Sequence, residues 1–321
     1  MRESKAIVQL VDLSIGYPGL RLFENLNLDI PAGQLICFMG PNGIGKSTLI
    51  RTIAGLEASL AGSIIFHSNT LLKEQLIALV LTDPIRAPYM SVFELVLFGR
   101  YPYLDWHLNV SDHDRDLVER SLKQVHLDHL RDRRINELSD GQKQMAMIAR
   151  ALAQDTPVMI LDEPTAHLDL NNRVEIMKLL KDLSRTMNKA ILLATHELDL
   201  ALQTADKIWL SGTHRDMITG IPEELVLSGA FDEVFRFKGF DLRTGKVQHL
   251  IFRNTKIALN GSGHAYWWTK NLLERNGFAV TSDGSPSVRI IDKIEKVEWV
   301  VNEKETFESL SDLLHYISSL P

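Results

Sequence analysis

The fold of this chain is decided by the stretch Gly40-Pro41-Asn42-Gly43-Ile44-Gly45-Lys46-Ser47-Thr48. The pattern is a glycine, four residues, a second glycine, a lysine and then a serine or threonine. The stretch follows an apolar run, Leu35 to Met39, that is typical of a buried strand, and it leads into a helix predicted for Thr48 to Ala54. A strand, a glycine-rich loop and a helix in this order predict a phosphate-binding loop.

The residue types of the loop suit that chemistry. Glycines let the backbone curl so that successive N–H groups point at one anion, and the start of the following helix adds a partial positive charge. We expect Lys46 to reach the β- and γ-phosphates and the Ser47 hydroxyl to coordinate Mg²⁺. The alternative, a glycine-rich turn that arose by chance, is disfavoured by the strand before it and by polar groups that follow other strands.

Length and composition bound the class of protein. The chain has 321 residues, enough for two domains, and its net charge of −6 argues against a nucleic-acid binder that relies on bulk charge. The single cysteine, Cys37, lies in the apolar strand, so no disulfide can form within one chain, which fits a reducing compartment. We see neither a signal peptide nor an apolar run of the roughly 20 residues that a spanning helix needs, and therefore expect a cytoplasmic protein, soluble or peripheral.

Polar side chains follow two further apolar strands. Asp162 and Glu163 come directly after the strand that starts at Val158, and such adjacent carboxylates are costly at the end of a buried strand unless they are used. Asp162 is predicted to hold Mg²⁺, usually through water, and Glu163 to act as general base on the attacking water. His196 follows the strand Ala190 to Ala194, where it could contact a γ-phosphate or the catalytic carboxylate.

Two other stretches carry alternative interpretations. Tyr17 lies in a turn, Gly16 to Gly19, and could stack on an adenine ring or be an ordinary half-buried turn residue. The segment Leu138-Ser139-Asp140-Gly141-Gln142 precedes a helix predicted for Lys143 to Gln154. Its serine and glycine could offer a hydroxyl and N–H groups to an anion, or the segment could be a simple helix N-cap formed by Asp140.

Together these motifs resemble the ATP-binding subunit of an ABC transporter over roughly residues 6–235. In that family Gly40 to Thr48 corresponds to the Walker A motif, Val158 to Asp162 to the Walker B motif and Leu138 to Gln142 to the signature. Asp169 lies in the D-loop and His196 in the H-loop. The run Glu94 to Pro102 is similar to the helical subdomain of importers of iron–siderophore complexes, haem and cobalamin.

The resemblance implies an α/β fold of the P-loop NTPase class, with an ABC ATPase domain at 1–235 that contains a mostly helical subdomain at about 85–150. Residues 236–321 are not accounted for by that core. Their pattern predicts a small C-terminal α+β accessory domain, for which our hypothesis is regulation or dimer support.

Four local features of this C-terminal region can be tested against the structure. We predict a strand at Val247 to Phe252 and a helix at Thr306 to Ser319. The turn Asn260 to Gly263 is interpreted as a tight strand-to-helix turn with Ser262 as helix cap rather than as half of a nucleotide loop. Trp267 and Trp268 are expected in the core and at an interface rather than in a ligand cage.

The resemblance also implies a head-to-tail dimer with two ATP molecules between two copies of the chain, in which Ser139 and Gly141 cap the γ-phosphate of the ATP held by the other copy. The implied catalytic residues are Glu163 and His196, and the implied metal ligands are Ser47, Asp162 and Thr82. The implied nucleotide-binding residues are Tyr17, Gly40, Pro41, Asn42, Gly43, Gly45, Lys46, Ser47, Thr48, Ser139, Gly141, Gln142 and Asp169.

Two positions depart from the family pattern. Where the family has a glutamine that binds Mg²⁺, this chain has Thr82 with Asp83 beside it; the hydroxyl could still be a ligand, and the carboxylate could reach the metal through water. The signature contains Asp140, whose carboxylate gains about 0.3–1 kcal/mol at a helix start but would repel a phosphate, so we expect it to point away.

The predicted function is ATP hydrolysis that powers an importer, for iron–siderophore complexes, haem or cobalamin. The alternatives are a soluble, non-transport ABC ATPase such as the iron–sulfur assembly type, and an exporter ATPase. The implied partners are transmembrane permease subunits, a second copy of the chain and, indirectly, a substrate-binding protein; no nucleic acid is expected. The implied location is peripheral, on the cytoplasmic face of the inner or plasma membrane.

Overall fold

A computed structural model describes residues 6–67, 72, 75–82, 87, 89–212, 215–237, 239–242, 245–247, 249–293 and 296–320. The chain divides into two compact units, Met1–Arg236 and Phe237–Pro321. Each unit has a hydrophobic core of its own.

The first unit alternates strands and helices. Its strands are β1 (Ala6–Tyr17), β2 (Leu20–Pro31), β3 (Leu35–Met39), β4 (Ala61–Phe66), β5 (Ile77–Val80), β6 (Val158–Asp162), β7 (Ala190–Ala194), β8 (Lys207–Ser211) and β9 (Met217–Gly220). Its α-helices are α1 (Lys46–Ile53), α2 (Val92–Leu97), α3 (Asp112–Gln124), α4 (Asp140–Ala153), α5 (Leu170–Thr186), α6 (Leu198–Thr204), α7 (Pro222–Ser228) and α8 (Ala230–Phe235). Short 3₁₀ segments lie at Phe98–Tyr103, Asp128–Leu130 and Ile135–Glu137.

The main sheet of this unit has six strands in the order β5-β6-β7-β3-β8-β9. The first five strands are parallel, and β9 is antiparallel to β8. Every residue of β3, β6 and β7 is buried, as expected for continuous apolar runs in the middle of a parallel sheet. The parallel sheet with helical crossovers confirms the predicted α/β class.

The register of the central strands brings three loops together. Ala194 at the end of β7 is paired with Phe38 of β3 on one side and with Asp162 of β6 on the other. The ladder continues one residue further, since the N–H of Thr195 donates to the Phe38 carbonyl at 3.1 Å and the N–H of Glu163 donates to the Ala194 carbonyl at 2.9 Å. The residues that follow these three strands therefore share one edge of the sheet.

A second sheet, in the order β2-β1-β4, is antiparallel and packs against this core. Its hairpin turns between Tyr17 and Leu20, which form the last pair of β1 and β2. Phe23 of β2 lies 6.1 Å from Phe38, centroid to centroid, and Phe38 lies 6.3 Å from Trp209 in β8. This aromatic row joins the antiparallel sheet to the parallel one and fixes the position of the hairpin tip.

Cys37 is buried in the middle of β3 between these neighbours. Burial raises the pKa of its thiol to about 12, because the thiolate would have to exist in the apolar interior of the sheet.

The helical segment between β5 and β6 is fixed by three capping boxes and one buried ion pair. Each box joins a serine to the side chain three residues later, at Ser91–Glu94, Ser111–Asp114 and Ser139–Gln142. Arg100 and Asp114 are both buried, with Nε 2.8 Å from the carboxylate, and the same guanidinium donates to the Ala153 carbonyl at 2.9 Å. This pair joins the 3₁₀ segment and α3 to the end of α4.

The second unit contains a five-stranded sheet and two helices. Its elements are β10 (Phe240–Asp241), β11 (Lys246–Val247), β12 (Lys256–Asn260), α9 (Gly263–Arg275), β13 (Ala279–Thr281), β14 (Ser287–Lys293), β15 (Lys296–Val301), β16 (Glu305–Phe307) and α10 (Leu310–Ser319). The sheet has the order β13-β12-β14-β15-β16, with β12 parallel to β13 and β14 and the other pairs antiparallel. Leu273 of α9 and Leu313 and Ile317 of α10 are buried in its core.

Several local predictions for this region are wrong. Of the described residues in the strand predicted from Val247, only Val247 itself is in a strand. Leu250, Ile251 and Phe252 are largely exposed, since alternating apolar residues form a strand only where a neighbour pairs with them. Thr306 begins no helix; it pairs with Val300 in the sheet, and α10 is capped by Ser309 instead.

The tryptophans of α9 are also exposed rather than in the core, with 46% of Trp267 and 64% of Trp268 accessible to solvent. Ser262 occupies the N-cap position of α9 as predicted, but its side chain makes no capping hydrogen bond. The core tryptophan of this unit is Trp299, whose indole N–H donates to the Thr269 hydroxyl at 2.7 Å.

The Arg100–Asp114 pair gives a stability prediction. We expect Asp114→Ala to lower the free energy of unfolding of the first unit by about 3–5 kcal/mol, because it leaves a guanidinium buried without its counter-charge. Denaturant unfolding measures the change. Asp116→Ala, an exposed carboxylate on the same helix, is the control and should change it by no more than about 0.5 kcal/mol. An equal effect of both variants would contradict the assigned role of the pair.

Candidate nucleotide site

The glycine-rich loop connects β3 to α1 with the backbone that its sequence requires. Gly43 and Gly45 have φ angles of 76° and 113°, in the region that side-chain-bearing residues rarely adopt. A Cβ on Gly45 would in addition lie 3.2 Å from the side chains of Leu22 and Phe23. The loop is therefore held between the β2 strand and the end of β3, and α1 begins directly after it.

Lys46 directs its ammonium group back into the loop. The residue is only 6% exposed, and its Nζ donates to the Gly40 carbonyl at 2.9 Å and to the Pro41 carbonyl at 3.2 Å. Burial lowers the pKa of this lysine, while the nearby carboxylates of Glu163 and Asp162 oppose that shift. The site thus holds a desolvated cation at the start of a helix, which suits a polyphosphate anion.

Asp162 lies at the end of β6, 3% exposed, and the Ser47 side chain hydrogen-bonds to its carboxyl group. Burial, aided by the nearby Glu163 carboxylate, raises the pKa of Asp162, although this hydrogen bond and the nearby Arg51 and Lys46 act in the opposite direction. Its Oδ1 is buried and has no hydrogen-bond partner in the part of the chain that the structure describes. A buried carboxylate oxygen of this kind needs an explanation, and a hydroxyl beside it completes an oxygen donor set that fits Mg²⁺, which prefers oxygen ligands.

Glu163 and His196 meet beside this carboxylate. Glu163 has a φ of 49°, an unusual value for a residue with a side chain, which costs of the order of 1–3 kcal/mol and is maintained by its backbone bond to Ala194. One Glu163 carboxylate oxygen lies 3.5 Å from Nδ1 of His196. Both side chains remain accessible to solvent, which a general base that acts on water requires.

The hydroxyl of Thr82 donates to the backbone carbonyl of Asp162 at 2.8 Å. Thr82 is therefore adjacent to the predicted metal carboxylate, and its role as a ligand remains a prediction. Asp83 lies outside the described residues.

Tyr17 lies beside the start of α1 at the tip of the β1–β2 hairpin, with its hydroxyl 3.2 Å from that of Thr48. The side chain is half exposed. Its stacking on adenine remains a prediction that this position allows.

In the signature segment, the residue that caps α4 is Ser139, so the alternative interpretation with Asp140 as the cap is wrong. Ser139 Oγ accepts from the backbone N–H of Gln142 at 3.2 Å, and Gln142 Oε1 accepts from the N–H of Ser139 at 3.0 Å. Asp140 is exposed and pairs with Lys143 at 2.9 Å. Since Gln142 is used in the cap, its predicted contact with nucleotide would have to compete with this bond.

Asp169 caps the N-terminus of α5 by accepting from the N–H of Asn172 at 2.9 Å. Among the described residues, no hydrogen bond joins Ser139, Gly141 or Asp169 to the glycine-rich loop of the same chain. Within the described residues, these predicted residues also make no direct hydrogen bond to the side chains of Lys46, Ser47, Asp162, Glu163 and His196.

Two residues that contact this site carry no sequence motif and were not predicted. Arg173 in α5 forms an ion pair with Glu197 at 2.9 Å, and Glu197 lies 3.5 Å from Nε2 of His196. The position of Glu197 next to the predicted histidine is the one signal that could have pointed to it.

The fold and this site define an ATPase with a P-loop and a second, helix-capping signature, and comparison with known proteins agrees. Residues 23–166 match the family described as ABC transporter, and residues 254–318 match the iron ABC transporter C-terminal domain. The chain belongs to the ABC transporter ATP-binding family, as the sequence motifs indicated, and it is an ATPase that binds ATP.

Relatives and solved structures support this assignment. The petrobactin import ATP-binding protein FpuD of Bacillus anthracis is 34% identical over 232 residues, which are 70% of this chain and 85% of the relative. An inward-facing ABC transporter assigned to the metal-chelate type has 28% identity and a TM-score of 0.66, covering 72% of this chain and 90% of that one. A dimeric bacterial ABC transporter cassette has 28% identity and a TM-score of 0.54, covering 63% and 93%. Within the described residues, no helix is both long and apolar enough to span a membrane.

The bond from Thr82 to Asp162 gives a test of the metal site. We expect Thr82→Val to raise the Mg²⁺ concentration for half-maximal ATPase activity about two- to tenfold, because it removes both a candidate ligand oxygen and the hydrogen bond to the backbone carbonyl of Asp162, whose carboxylate is the predicted metal ligand. A Mg²⁺ titration of the ATPase rate measures this. Thr82→Ser keeps the hydroxyl and should keep the wild-type titration; a wild-type titration for Thr82→Val as well would exclude Thr82 from the site.

Proposed function

We propose that this chain is the ATPase subunit of an importer for a metal chelate, of the iron–siderophore, haem or cobalamin kind. The observation that carries the cargo class is the match of residues 254–318 to an iron ABC transporter domain. A relative named for import and a solved structure of the metal-chelate type support the same direction and class. These relatives disfavour the soluble iron–sulfur assembly and exporter alternatives.

ATP is proposed to bind between two copies of the chain. One copy would supply the glycine-rich loop and Tyr17, and the other would supply Ser139 and Gly141 to the γ-phosphate. The position of Ser139 supports this, because this residue is exposed at the start of α4, where the helix end is positively polarised. The likeness to a dimeric cassette supports a dimer of this kind.

The residues around Asp162 are proposed to carry out hydrolysis. Lys46 would neutralise the β- and γ-phosphates, and Ser47 and Asp162 would hold Mg²⁺, with Thr82 as a further candidate ligand. When bound, Mg²⁺ would offset the charge of those phosphates.

Glu163 would accept a proton from the attacking water, whose oxygen forms the new bond to the γ-phosphorus while the bond to the β–γ bridging oxygen breaks. The products are ADP and phosphate. His196, 3.5 Å from Glu163, would hold the γ-phosphate and the base in one geometry.

Transport requires further chains in this proposal. Permease subunits would contact the helical segment between β5 and β6, so that closure of the ATP-bound dimer moves the cargo. The chain would then lie peripherally on the cytoplasmic face of the membrane, with a substrate-binding protein acting indirectly through the permease.

Glu163→Gln tests the sandwich and the base together. We expect turnover to fall by about 100-fold or more while ATP still binds, because the amide cannot accept the proton from water, and the variant should accumulate as an ATP-bound dimer. ATPase rates and size-exclusion chromatography with MgATP measure the two effects.

Lys46→Ala is the matched control and should neither bind ATP tightly nor dimerise. A Glu163→Gln variant with wild-type turnover would remove Glu163 from its role, and a monomer at saturating MgATP would refute the sandwich.

For the second unit we propose regulation or dimer support. Its separate core, formed by one face of the sheet and both helices, supports an independent accessory role. A chain that ends at Arg236 should still bind ATP, but should dimerise with MgATP only at about tenfold higher protein concentration or lose the response of transport to its cargo. Dimerisation and transport that are both unchanged, including that response, would refute the proposal.

A further inference from the structure

The first turn of α5 contacts both halves of the nucleotide machinery within one chain. Asn172 and Arg173 are consecutive, so their side chains leave the helix about 100° apart and reach different neighbours. Asn172 faces the signature, and Arg173 faces the segment that carries His196.

On the signature side, Gly141 packs closely against the Asn172 amide. A Cβ on Gly141 would be 2.6 Å from both Cγ and Oδ1 of Asn172. Asp169 fixes the position of this amide through two hydrogen bonds. The Asn172 Nδ2 donates to Oδ2 of Asp169 at 2.9 Å, and the Asn172 backbone N–H donates to Oδ1 of Asp169 at 2.9 Å. The helix cap therefore fixes the surface on which the start of α4 rests.

On the histidine side, Arg173 uses its planar guanidinium to hold two partners. Nε donates to the Leu168 carbonyl at 2.7 Å, and Nη1 lies 2.9 Å from Oε1 of Glu197. The Glu197 side chain is only 14% exposed, so this pair is screened less than a surface ion pair.

Glu197 in turn determines how His196 is presented. Its carboxylate lies 3.5 Å from Nε2, and Glu163 lies 3.5 Å from Nδ1, so the imidazole stands between two carboxylates. The N–H of Glu197 donates to the Thr195 hydroxyl at 3.0 Å, which fixes the backbone at this point. Moving Arg173 would therefore move both the Asp169 loop and the histidine.

We propose that Asn172 and Arg173 are positioning residues that join Gly141 and His196 into one mechanical unit. The inference rests on the proposed ATP sandwich, in which Gly141 serves the nucleotide of the partner copy and His196 serves the chain's own. One rigid helix turn then sets the geometry of both sites, so that a change of nucleotide state at one site alters the side-chain geometry at the other.

The test is a double-mutant cycle on turnover in the full-length chain. Arg173→Gln should lower kcat about 10- to 100-fold through misplacement of His196, with the KM for MgATP changed by no more than about threefold. Asn172→Ala should also lower kcat. Because either change breaks the same connection, the double variant should be no slower than the slower single variant, whereas independent supports would multiply their effects.

Controls separate positioning from folding. Arg185→Gln changes an exposed arginine in the last turn of the same helix and should keep wild-type kcat. Arg173→Lys should recover only part of the loss, since one ammonium cannot reproduce the fork that holds Leu168 and Glu197. Glu197→Gln, a change outside α5, is a second variant that should lower kcat, and melting temperatures within about 2 °C of wild type show that the variants are folded.

The outcomes distinguish the two proposals. If Glu163→Gln does not dimerise with MgATP, the sandwich fails. If that dimer forms but Arg173→Gln and Glu197→Gln match Arg185→Gln in kcat, or the effects of Asn172→Ala and Arg173→Gln multiply, the joined unit is overturned while the sandwich stands.

Discussion

The burial of opposite charges at one edge of a parallel sheet is the constraint on which the first unit depends. Lys46 and Asp162 are both almost completely removed from water, which would be prohibitive for either group alone. Their burial is possible because the register of β3, β7 and β6 places the glycine-rich loop beside the end of β6. There the Gly40 carbonyl accepts a hydrogen bond from Lys46, and the Ser47 side chain hydrogen-bonds to Asp162. Within the described residues, one oxygen of Asp162 remains without a hydrogen-bond partner, and this oxygen is available to a cation such as Mg²⁺.

Much of this architecture could be predicted where local sequence and burial agree. Strands β3 and β7 have the predicted bounds, because an unbroken apolar run of five residues between turn signals is typical of a buried strand in a parallel sheet. Elements at the periphery were harder: β9, α7 and α8 were not predicted, since their form depends on the neighbours they pack against. The misassigned stretch after Val247 shows the same limit, because alternation alone cannot show whether a partner strand exists.

The site was predictable where chemistry is concentrated in adjacent residues. The loop from Gly40 to Thr48 and the pair Asp162–Glu163 can be recognised from their residue types and spacing alone. The structure brings them together. Asn172 and Arg173 could not be found in this way, because a charged or amide residue on a helix usually faces water and only the packing shows otherwise. For Glu197 the sequence gives only its position next to His196. The capping role of Ser139 shows how one residue type supports two interpretations that only geometry separates.

The single thiol of the chain has a consequence of its own. Cys37 lies in one of the two central strands of the sheet that carries the site, and its pKa of about 12 keeps it almost entirely protonated at neutral pH. Alkylating reagents react with thiolate, so they can modify this sulfur only in molecules whose central strands have come apart. The rate of Cys37 modification therefore measures how often the ATPase core opens. No label has to be introduced, and because the chain has one cysteine, the signal comes from this residue alone.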